Sequence, residues 1–394
     1  MSSAILSQRT ISQPRCKPIP SPSSSEPTIN QRSMADAQPD NTLLVEAEPP
    51  RRIAIALGDP AGIGAEVTLR ALGLAPAAAA EVVLVGCRDW LEREHRRLSG
   101  RIDGPLADPR QLDVLDVPLE DAVTPGVSGA AEGAASFRWL TEATGLVLEG
   151  SCDALVTAPI AKASWHRAGH AYPGQTERLA ELAGVAEAAM LFTARSPHGS
   201  WRLNTLLATT HIPLAAVPTQ LTAERVQGKL DHLLTFCRRF RERPRLVVAG
   251  LNPHAGEQGR LGSEEQDWLI PCLNAWRQRH PGVMLEGPLP PDTCWLEAAA
   301  AWRGTGAGAD GYLALYHDQG LIPVKLLAFD AAVNTSLGLP FLRTSPDHGT
   351  AFAIAGQGIA RPDSMLAAIE AARELGWSMP KPEQDQAGRI RIRA

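Results

Sequence analysis

Closely spaced cysteine pairs are missing from this sequence. Its 394 residues contain six cysteines, at positions 16, 87, 152, 237, 272 and 294, without a Cys-x-x-Cys motif. No N-terminal segment resembles a secretory signal with an apolar core. Scattered cysteines in a chain without such a signal indicate reduced thiols rather than a disulfide framework. We therefore expect a cytoplasmic protein with free cysteines.

Long apolar runs and an excess of basic residues are also missing. The longest candidate stretch, residues 71–86, is interrupted by Pro76 and Glu81, whereas a membrane-spanning helix needs about 20 predominantly apolar residues. The formal net charge is −5, which provides no basic field for nucleic acid or anionic lipid. We therefore expect no membrane span and no nucleic-acid partner, and the predicted partner is a small molecule.

The usual dinucleotide-binding fingerprint is missing as well. A predicted buried strand over residues 53–57 leads into Gly58-Asp59-Pro60-Ala61-Gly62-Ile63-Gly64, and a helix begins at about residue 65. A strand, a glycine turn and a helix N-terminus form a possible cradle for an anion or a nucleotide, but this spacing is not Gly-x-Gly-x-x-Gly. One literal match, at residues 306–311, precedes a predicted strand and is interpreted as a coincidental turn. The sequence therefore assigns no cofactor-binding residues.

The N-terminal segment differs in composition from the rest of the chain. Residues 1–50 are rich in Ser, Pro and Gln and poor in large apolar residues, so we expect them to be disordered. Four basic residues and one acidic residue precede Met34. This composition allows an organelle transit peptide, and synthesis starting at Met34 is the alternative interpretation. After residue 50, predicted strands alternate with helices, which indicates an α/β fold with parallel sheets.

Three predicted strands end at a histidine. Residues 203–210 precede His211, residues 246–251 lead to His254, and residues 312–316 precede His317. A single histidine after a strand is more often a cap or a solvated side chain. Three together favour a metal site, because imidazole binds zinc and other divalent ions, and three protein ligands with an open fourth position are typical of catalytic sites.

Polar residues inside apolar sequence indicate a second feature of the site. Lys325, Asn334 and Arg343 lie among apolar residues, where an unpaired charge would be costly. Either an anionic ligand or a protein carboxylate is needed near each cation. Arg343 could bind a phosphate or carboxylate bidentately, whereas Lys325 would act as a point charge. Residues 347–350 offer one more polar cluster, interpreted as a loop that contacts the cofactor.

Other polar residues follow a predicted strand at residues 153–157. Lys162 is either a site residue or a solvated cation at a helix start, and Gln175 and Thr176 are either ligand contacts or helix caps. Further along, a helix after Thr222 has apolar residues at helical spacing up to Cys237. This helix is interpreted as core packing and not as part of a cofactor site.

Eight segments, in order between about residues 53 and 371, resemble those of the 4-hydroxythreonine-4-phosphate dehydrogenase family of vitamin B6 biosynthesis. They are Gly58 to Gly64, Thr157 to Lys162, Gly174 to Glu177, Ala208 to His211, Gly250 to Glu257, Gly287 to Pro290, Tyr316 to Gly320 and Leu339 to Ser345. The resemblance implies a fold similar to isocitrate and isopropylmalate dehydrogenases, with two α/β domains and a cleft between them. It also implies a homodimer with the active site at the subunit interface. We expect residues 51–160 and 310–394 to form the first domain, and residues 161–309 to form the second, with dimer contacts.

The resemblance assigns roles to particular residues. It implies a divalent metal ion (Zn, Mg, Mn or Co) shared between subunits, and NAD or NADP as cofactor. One departure concerns Gln175, because the commoner residue at this position of the family is histidine. Gln retains hydrogen bonding but cannot titrate near neutral pH. The implied metal ligands are His211, His254 and His317, and the implied substrate contacts are Gln175, Thr176, Lys325, Asn334 and Arg343.

The activity implied by the resemblance is the oxidation of 4-phosphooxy-L-threonine at its C3 hydroxyl. The product, 2-amino-3-oxo-4-phosphooxybutanoate, would lose CO2 to give 3-amino-2-oxopropyl phosphate. Asp318 and Lys162 are both candidate proton acceptors. Two alternatives remain: a related dehydrogenase acting on a phosphorylated four-carbon sugar acid or a cyclic dihydrodiol dicarboxylate, and a metal-dependent hydrolase that uses the histidines without a nicotinamide.

Overall fold

The computed structural model describes residues 52–376, together with residues 383–384 and 390–391. The N-terminal extension and the two interpretations of residues 1–33 lie outside this part of the chain. Within it, no helix is both long and apolar enough to cross a membrane. The five cysteines of the described residues are free and buried, which agrees with the expected reduced thiols.

Eleven strands of the described residues form one sheet, in the order β3-β2-β1-β4-β11-β10-β5-β6-β9-β7-β8. A separate pair, β12 (Glu383–Gln384) and β13 (Ile390–Arg391), is antiparallel. The strands of the large sheet are β1 (Ile53–Ala56), β2 (Val82–Gly86), β3 (Asp113–Asp116), β4 (Ala154–Thr157), β5 (Ala189–Arg195), β6 (Arg202–Leu207), β7 (Arg245–Ala249), β8 (Met284–Leu289), β9 (Gly311–Ala314), β10 (Val333–Leu337) and β11 (Leu342–Ser345).

Twelve α-helices of the described residues connect these strands. They are α1 (Gly64–Leu74), α2 (Pro76–Ala79), α3 (Arg88–Ser99), α4 (Ala130–Leu148), α5 (Lys162–Arg167), α6 (Gln175–Leu182), α7 (Val217–Gln220), α8 (Ala223–Cys237), α9 (Ile270–Arg279), α10 (Leu296–Trp302), α11 (His317–Ala328) and α12 (Asp363–Gly376). The predicted α/β class is therefore confirmed. Strands β1 and β4 are buried along their whole length, as expected for parallel strands covered on both faces.

The prediction of parallel sheets was only partly correct. Strands β3, β2, β1, β4 and β11 are parallel neighbours, and so are β6, β9, β7 and β8. Between these groups, β10 is antiparallel to both β11 and β5, and β5 is antiparallel to β6. Short connections at residues 196–201 and 338–341 join β5 to β6 and β10 to β11, and short connections of this kind favour antiparallel pairs.

The strand pairing also bears on the expected domains. Strands β9 and β10 pair with β6, β7 and β5, which belong to the predicted second domain, although residues 310–394 were assigned to the first. Strand β11 pairs with β4 of the predicted first domain. After β10, the chain therefore returns to the strands of the predicted first domain at residues 338–341. The described residues all belong to one compact unit, and the division into two domains stays a prediction.

Candidate active site

A cavity of about 550 Å³ opens on the central strands β4, β11, β10, β5 and β6. Six of the ten predicted site residues line it: Lys162, Gln175, Thr176, His211, Asn334 and Arg343. The other four, His254, His317, Asp318 and Lys325, are not among the residues that line it. A cavity in which polar groups converge is the usual form of a small-molecule site, so this cavity is the candidate active site.

Arg343 lies buried on the cavity wall, and no carboxylate of the described residues contacts it directly. The residue is only 4% exposed. Its Nε and Nη2 donate to Thr157 Oγ1 at 3.0 and 2.7 Å, and its Nη1 donates to Ser336 Oγ at 3.3 Å. No carboxylate of the described residues forms an ion pair with it. Burial lowers its pKa to about 10, and the charge of Glu177, which also lines the cavity, acts in the opposite direction. A buried cation whose direct contacts are neutral hydroxyls favours an anionic ligand, which was one of the two alternatives from the sequence.

Strand geometry accounts for the position of Arg343. Its neighbours across the sheet are Ser336 on β10 and Leu155 on β4. Side chains alternate between the two faces of a strand, so Arg343 and Ser345 of β11 point to the same side, and both line the cavity. Asn334, which pairs with Ser345 in the ladder, lines the cavity as well.

Lys325 has a different partner from the one that the site prediction suggested. Its ammonium group forms an ion pair with Asp347, and it lies 5.4 Å from the centre of the Phe329 ring. Burial lowers the pKa of Lys325. Of the two alternatives from the sequence, a protein carboxylate is therefore present in this case. A role for Lys325 in substrate binding stays a prediction.

The first turn of α6 presents Gln175 and Thr176 to the cavity. Gln175 Nε2 donates to the carbonyl oxygen of Ala158 at 3.2 Å. Its Oε1 is buried and has no hydrogen-bond partner among the described residues. Because buried polar atoms are nearly always paired, this free acceptor indicates that a ligand with a hydrogen-bond donor completes the site.

His211 and His317 come together beyond the ends of β6 and β9, with their ring centres 5.5 Å apart. The pKa of His211 is lowered, first by burial and then by the charges of His317 and Lys162. Asp318 Oδ1 lies 2.7 Å from His317 Nδ1, so Nε2 of that ring is left to bind another group. A neutral imidazole and an imidazole oriented by a carboxylate are both typical of metal ligands.

His254 does not join this pair within the chain. It lies in the loop after β7, which is a parallel neighbour of β9, so the three histidines do follow parallel strands as predicted. However, no cluster of three His, Cys, Asp or Glu side chains suited to a metal ion occurs within the described part of the chain. The residues therefore fit a divalent ion only in part. One chain brings His211 and His317 close together, and the third predicted ligand, His254, lies apart from them.

Two cations that line the cavity were missed by the sequence prediction. Arg225 and Lys229 of α8 line the cavity together with Glu187, and Lys229 Nζ lies 2.7 Å from Glu187 Oε1. The apolar residues of α8 are buried as expected. Their regular spacing predicts a core helix and gives no indication that its polar face lines a cavity. Two cations four residues apart on one helix face were the available signal. A second cavity of about 330 Å³ shares Arg225, Lys229 and Glu187 with the first.

The glycine turn before α1 is not an open anion cradle. The backbone N–H of Ile63 donates to the carbonyl of Thr350, and those of Ala61 and Gly62 donate to the side chain and the carbonyl of Asp59. The turn therefore packs against the loop at residues 347–350, of which His348 and Gly349 line the cavity. Contact of this loop with the cofactor stays a prediction.

Comparison with known proteins identifies the relatives of this chain. A sequence model of the PdxA family, described as pyridoxal phosphate biosynthetic protein PdxA, matches residues 73–372. A 4-hydroxythreonine-4-phosphate dehydrogenase of Synechococcus sp. (strain RCC307) is 66% identical over 328 residues, which cover 82% of this chain and 99% of the relative. A D-threonate 4-phosphate dehydrogenase of Pectobacterium atrosepticum is 39% identical over 337 residues, which cover 82% of this chain and 98% of that relative.

A solved structure gives the same result. The crystal structure of 4-hydroxythreonine-4-phosphate dehydrogenase from Klebsiella pneumoniae superimposes with a TM-score of 0.71 at 38% sequence identity. The match covers 84% of this chain and 99% of that structure.

Proposed function

The chain belongs to the PdxA family of pyridoxal phosphate biosynthetic proteins, and we propose that it is an NAD(P)-dependent 4-hydroxythreonine-4-phosphate dehydrogenase. The substrate is 4-phosphooxy-L-threonine, and the C3 hydroxyl is oxidised to a ketone. The product, 2-amino-3-oxo-4-phosphooxybutanoate, is a β-keto acid, which loses CO2 to give 3-amino-2-oxopropyl phosphate. The reaction belongs to the biosynthesis of pyridoxine phosphates, and we place it in the cytoplasm.

The observation that carries this proposal is the charge of buried Arg343 at the cavity, which no carboxylate of the described residues contacts directly. A phosphate or carboxylate group of the substrate would supply a direct ionic partner, beyond the charge of Glu177 that also acts on Arg343. Thr176 and Asn334 line the same cavity and would donate further hydrogen bonds to that group. The free Oε1 of Gln175 would accept a hydrogen bond from the substrate, for which its amino group is suited.

The metal ion would be held by His211 and His317 of one chain, with His254 of a second copy as third ligand. When bound, the divalent ion polarises the hydroxyl group and the dinucleotide takes up the hydride. The lowered pKa of His211 and the contact between His317 and Asp318 support their assignment as ligands.

Lys162 is the better of the two candidate proton acceptors. It lines the cavity, and its charge acts on His211, so it lies near the end of the cavity where we place the reacting hydroxyl. Asp318 does not line the cavity, and its carboxylate already contacts His317. In this assignment, Nζ of Lys162 takes up the hydroxyl proton, the C3–H bond breaks with transfer of hydride to the dinucleotide, and Asp318 orients the His317 ring.

The exposed face of α11 supports a homodimer. Ile322, Leu326 and Phe329 are 57%, 80% and 66% exposed, and their spacing places them on one side of this helix. Exposed apolar patches of this kind are typical of protein interfaces. Helix α11 also begins at His317, so a second copy bound to this face would lie next to the metal ligands. Such a copy could supply His254, as the shared site of the family requires.

A second substrate is favoured by two observations together. Gln175 replaces the histidine that is commoner in the family, and one relative of this chain is a D-threonate 4-phosphate dehydrogenase. D-Threonate 4-phosphate carries a hydroxyl where 4-phosphooxy-L-threonine carries an amino group. It belongs to the phosphorylated four-carbon sugar acids that the sequence left open as an alternative.

Comparing kcat/KM for the two substrates tests the choice. We expect the purified, metal-loaded protein to prefer 4-phosphooxy-L-threonine. A higher kcat/KM for D-threonate 4-phosphate would contradict the proposed substrate while leaving the dehydrogenase reaction in place. Turnover of neither substrate with either dinucleotide would contradict the proposed function as a whole.

A further inference from the structure

The loop that carries His254 has an unusual backbone. Five consecutive residues, 254–258, lie in the left-handed region, with φ values of 53°, 52°, 78°, 44° and 58°. Four of them, His254, Ala255, Glu257 and Gln258, are not glycine. Left-handed conformations are unfavourable for residues with a side chain and persist only where the surroundings enforce them. The left-handed backbone at His254, a predicted metal ligand, therefore needs contacts that hold it in place.

A buried carboxylate is hydrogen-bonded to the residues that precede this turn. Glu265 is 0% exposed, and its Oε1 accepts hydrogen bonds from the backbone N–H of Leu251 and of Asn252 at 2.8 and 2.7 Å. Its Oε2 accepts a third hydrogen bond, from Asn252 Nδ2, at 2.9 Å. Hydrogen bonds to an ionised acceptor are stronger than those between neutral groups. Glu265 therefore fixes the two residues that lead into the left-handed turn.

Two glycines let the chain approach this carboxylate closely. A Cβ added to Gly256 would lie 2.8 Å from Glu265 Oε2, and one added to Gly262 would lie 2.4 Å from Asn252 Nδ2. Both glycines have positive φ, at 78° and 130°. The turn and the segment that follows it are therefore wrapped around Glu265 and Asn252 with no room for a side chain.

A second buried side chain connects the same loop to the histidine pair. Gln319, two residues after His317, is 7% exposed. Its Nε2 donates to the carbonyl of Gly250 at 2.7 Å, and its Oε1 accepts from the N–H of Leu315 at 2.7 Å. Gln319 thus joins the residues that follow β7 and β9, so the loop of His254 and the start of α11 are fixed relative to each other.

We propose that Glu265 is a positioning residue for His254: it holds the turn Pro253–Gly259 in its left-handed conformation, so that His254 is presented as a metal ligand to a second copy of the chain. The proposal rests on the proposed function for the role of His254. It goes beyond that function because Glu265 is buried and is not among the residues that line the candidate active site. A purely structural role for Glu265 would affect the stability of the fold without a separate effect on metal binding.

The test uses Glu265→Gln, which retains the size of the side chain. An amide can accept from the two backbone N–H groups with its oxygen, but it then directs an NH2 group at Asn252 Nδ2, where two donors meet. The matched control is Glu264→Gln, because Glu264 accepts only one hydrogen bond, from Asn252 Nδ2 at 2.7 Å, and is not bonded to the turn backbone. His254→Ala gives the effect of losing the ligand itself.

The measurements are Zn²⁺ affinity of the chelator-stripped full-length protein by calorimetry, hydrogen exchange of residues 250–259 and the thermal midpoint. For Glu265→Gln we expect a Kd for Zn²⁺ about 10- to 100-fold weaker, the effect typical of residues that orient a metal ligand. Exchange in the turn should become faster, while the thermal midpoint should stay close to that of Glu264→Gln. Glu264→Gln should bind Zn²⁺ as the unchanged protein does.

Equal Zn²⁺ affinities of Glu265→Gln and Glu264→Gln would overturn the proposal. If Glu265→Gln does not fold, Glu265→Asp replaces it, since Asp keeps the charge but is one methylene shorter, and the same loss of affinity is expected. The unchanged protein separates this proposal from the proposed function. If it binds no Zn²⁺, the metal assignment itself fails and the positioning role with it. If it binds Zn²⁺ and the Glu265 variants bind equally well, the positioning role alone fails.

Discussion

The guanidinium of Arg343 donates two hydrogen bonds, from Nε and Nη2, to the single hydroxyl of Thr157 on the neighbouring strand. The hydroxyl fixes the orientation of Arg343, but it carries no charge. The positive charge therefore lies at the cavity, where no carboxylate of the described residues contacts it directly, although the charge of Glu177 acts on it. This relationship connects the fold, in which β4 and β11 lie side by side, to the selection of an anionic substrate.

Replacing Arg343 should impair substrate binding more than stability. We expect Arg343→Met to lower kcat/KM by at least about 30-fold, because losing one partner of a buried, hydrogen-bonded charge pair costs about 2–5 kcal/mol. The thermal midpoint of the ligand-free protein should be unchanged or higher, since a desolvated charge is removed. A large loss of stability with an unchanged kcat/KM would mean that Arg343 is structural.

Two inactive variants should complement each other if the metal site is shared between subunits. His211→Ala and His254→Ala are each expected to lack turnover and to remain folded. When they are co-expressed, a mixed dimer contains one complete site, so about a quarter of the normal activity is expected for random pairing of two chains in a symmetric dimer. Mixed dimers without activity would show that the two histidines act within the same chain.

Lys162 should contribute to turnover as the proton acceptor. Lys162→Met should lower kcat by about 10²- to 10⁴-fold, the range for general acid–base catalysis, with metal binding retained. Asp318→Asn is the comparison: it should weaken metal binding through His317 and lower kcat less once the metal site is saturated. The opposite pattern would make Asp318 the proton acceptor.

Gln175 should act in binding rather than in proton transfer. Gln175→Ala is expected to raise KM about 10-fold or more, since a hydrogen bond involving a charged group contributes about 1.5–3 kcal/mol, with a smaller change in kcat. Gln175→His should retain turnover with a similar pH profile. A new ionisation near neutral pH together with a large rise in kcat would show instead that the histidine of the family carries a proton.

His232, on the wall of the second cavity, should make stability depend on pH. Burial lowers the pKa of His232, so the unfolded chain binds a proton more readily than the folded one. Its contribution to stability is therefore present above its unfolded pKa of about 6.5 and is lost as the pH falls below that value. The urea midpoint should fall less between pH 7.5 and 5.5 in His232→Gln than in the unchanged protein. An identical fall would exclude this contribution.

The sequence indicated those cavity residues that local patterns reveal. Arg343 could be identified because a cation inside otherwise apolar sequence needs a partner, and Gln175 because it follows a predicted strand at a helix start. His211 and His317 could be placed together because parallel neighbouring strands end at the same edge of a sheet.

Long-range pairing and special backbone geometry were beyond the sequence. The position of β9 and β10 beside β5, β6 and β7 depends on contacts between distant segments. The left-handed turn at His254 depends on a buried carboxylate eleven residues later and on close approach at Gly256. Arg225 and Lys229 were missed because the helix that carries them also packs an apolar face into the core, and that pattern is the stronger signal.

The central claim is that this chain oxidises 4-phosphooxy-L-threonine with a nicotinamide and a divalent metal ion. The most direct test mixes this compound with metal-loaded protein and NAD⁺ or NADP⁺, with and without a chelator, and follows absorbance of the reduced nicotinamide. We predict reduction of at least one dinucleotide that stops when the chelator is added. Absence of reduction with both dinucleotides, or reduction that persists in the metal-free protein, would contradict the account.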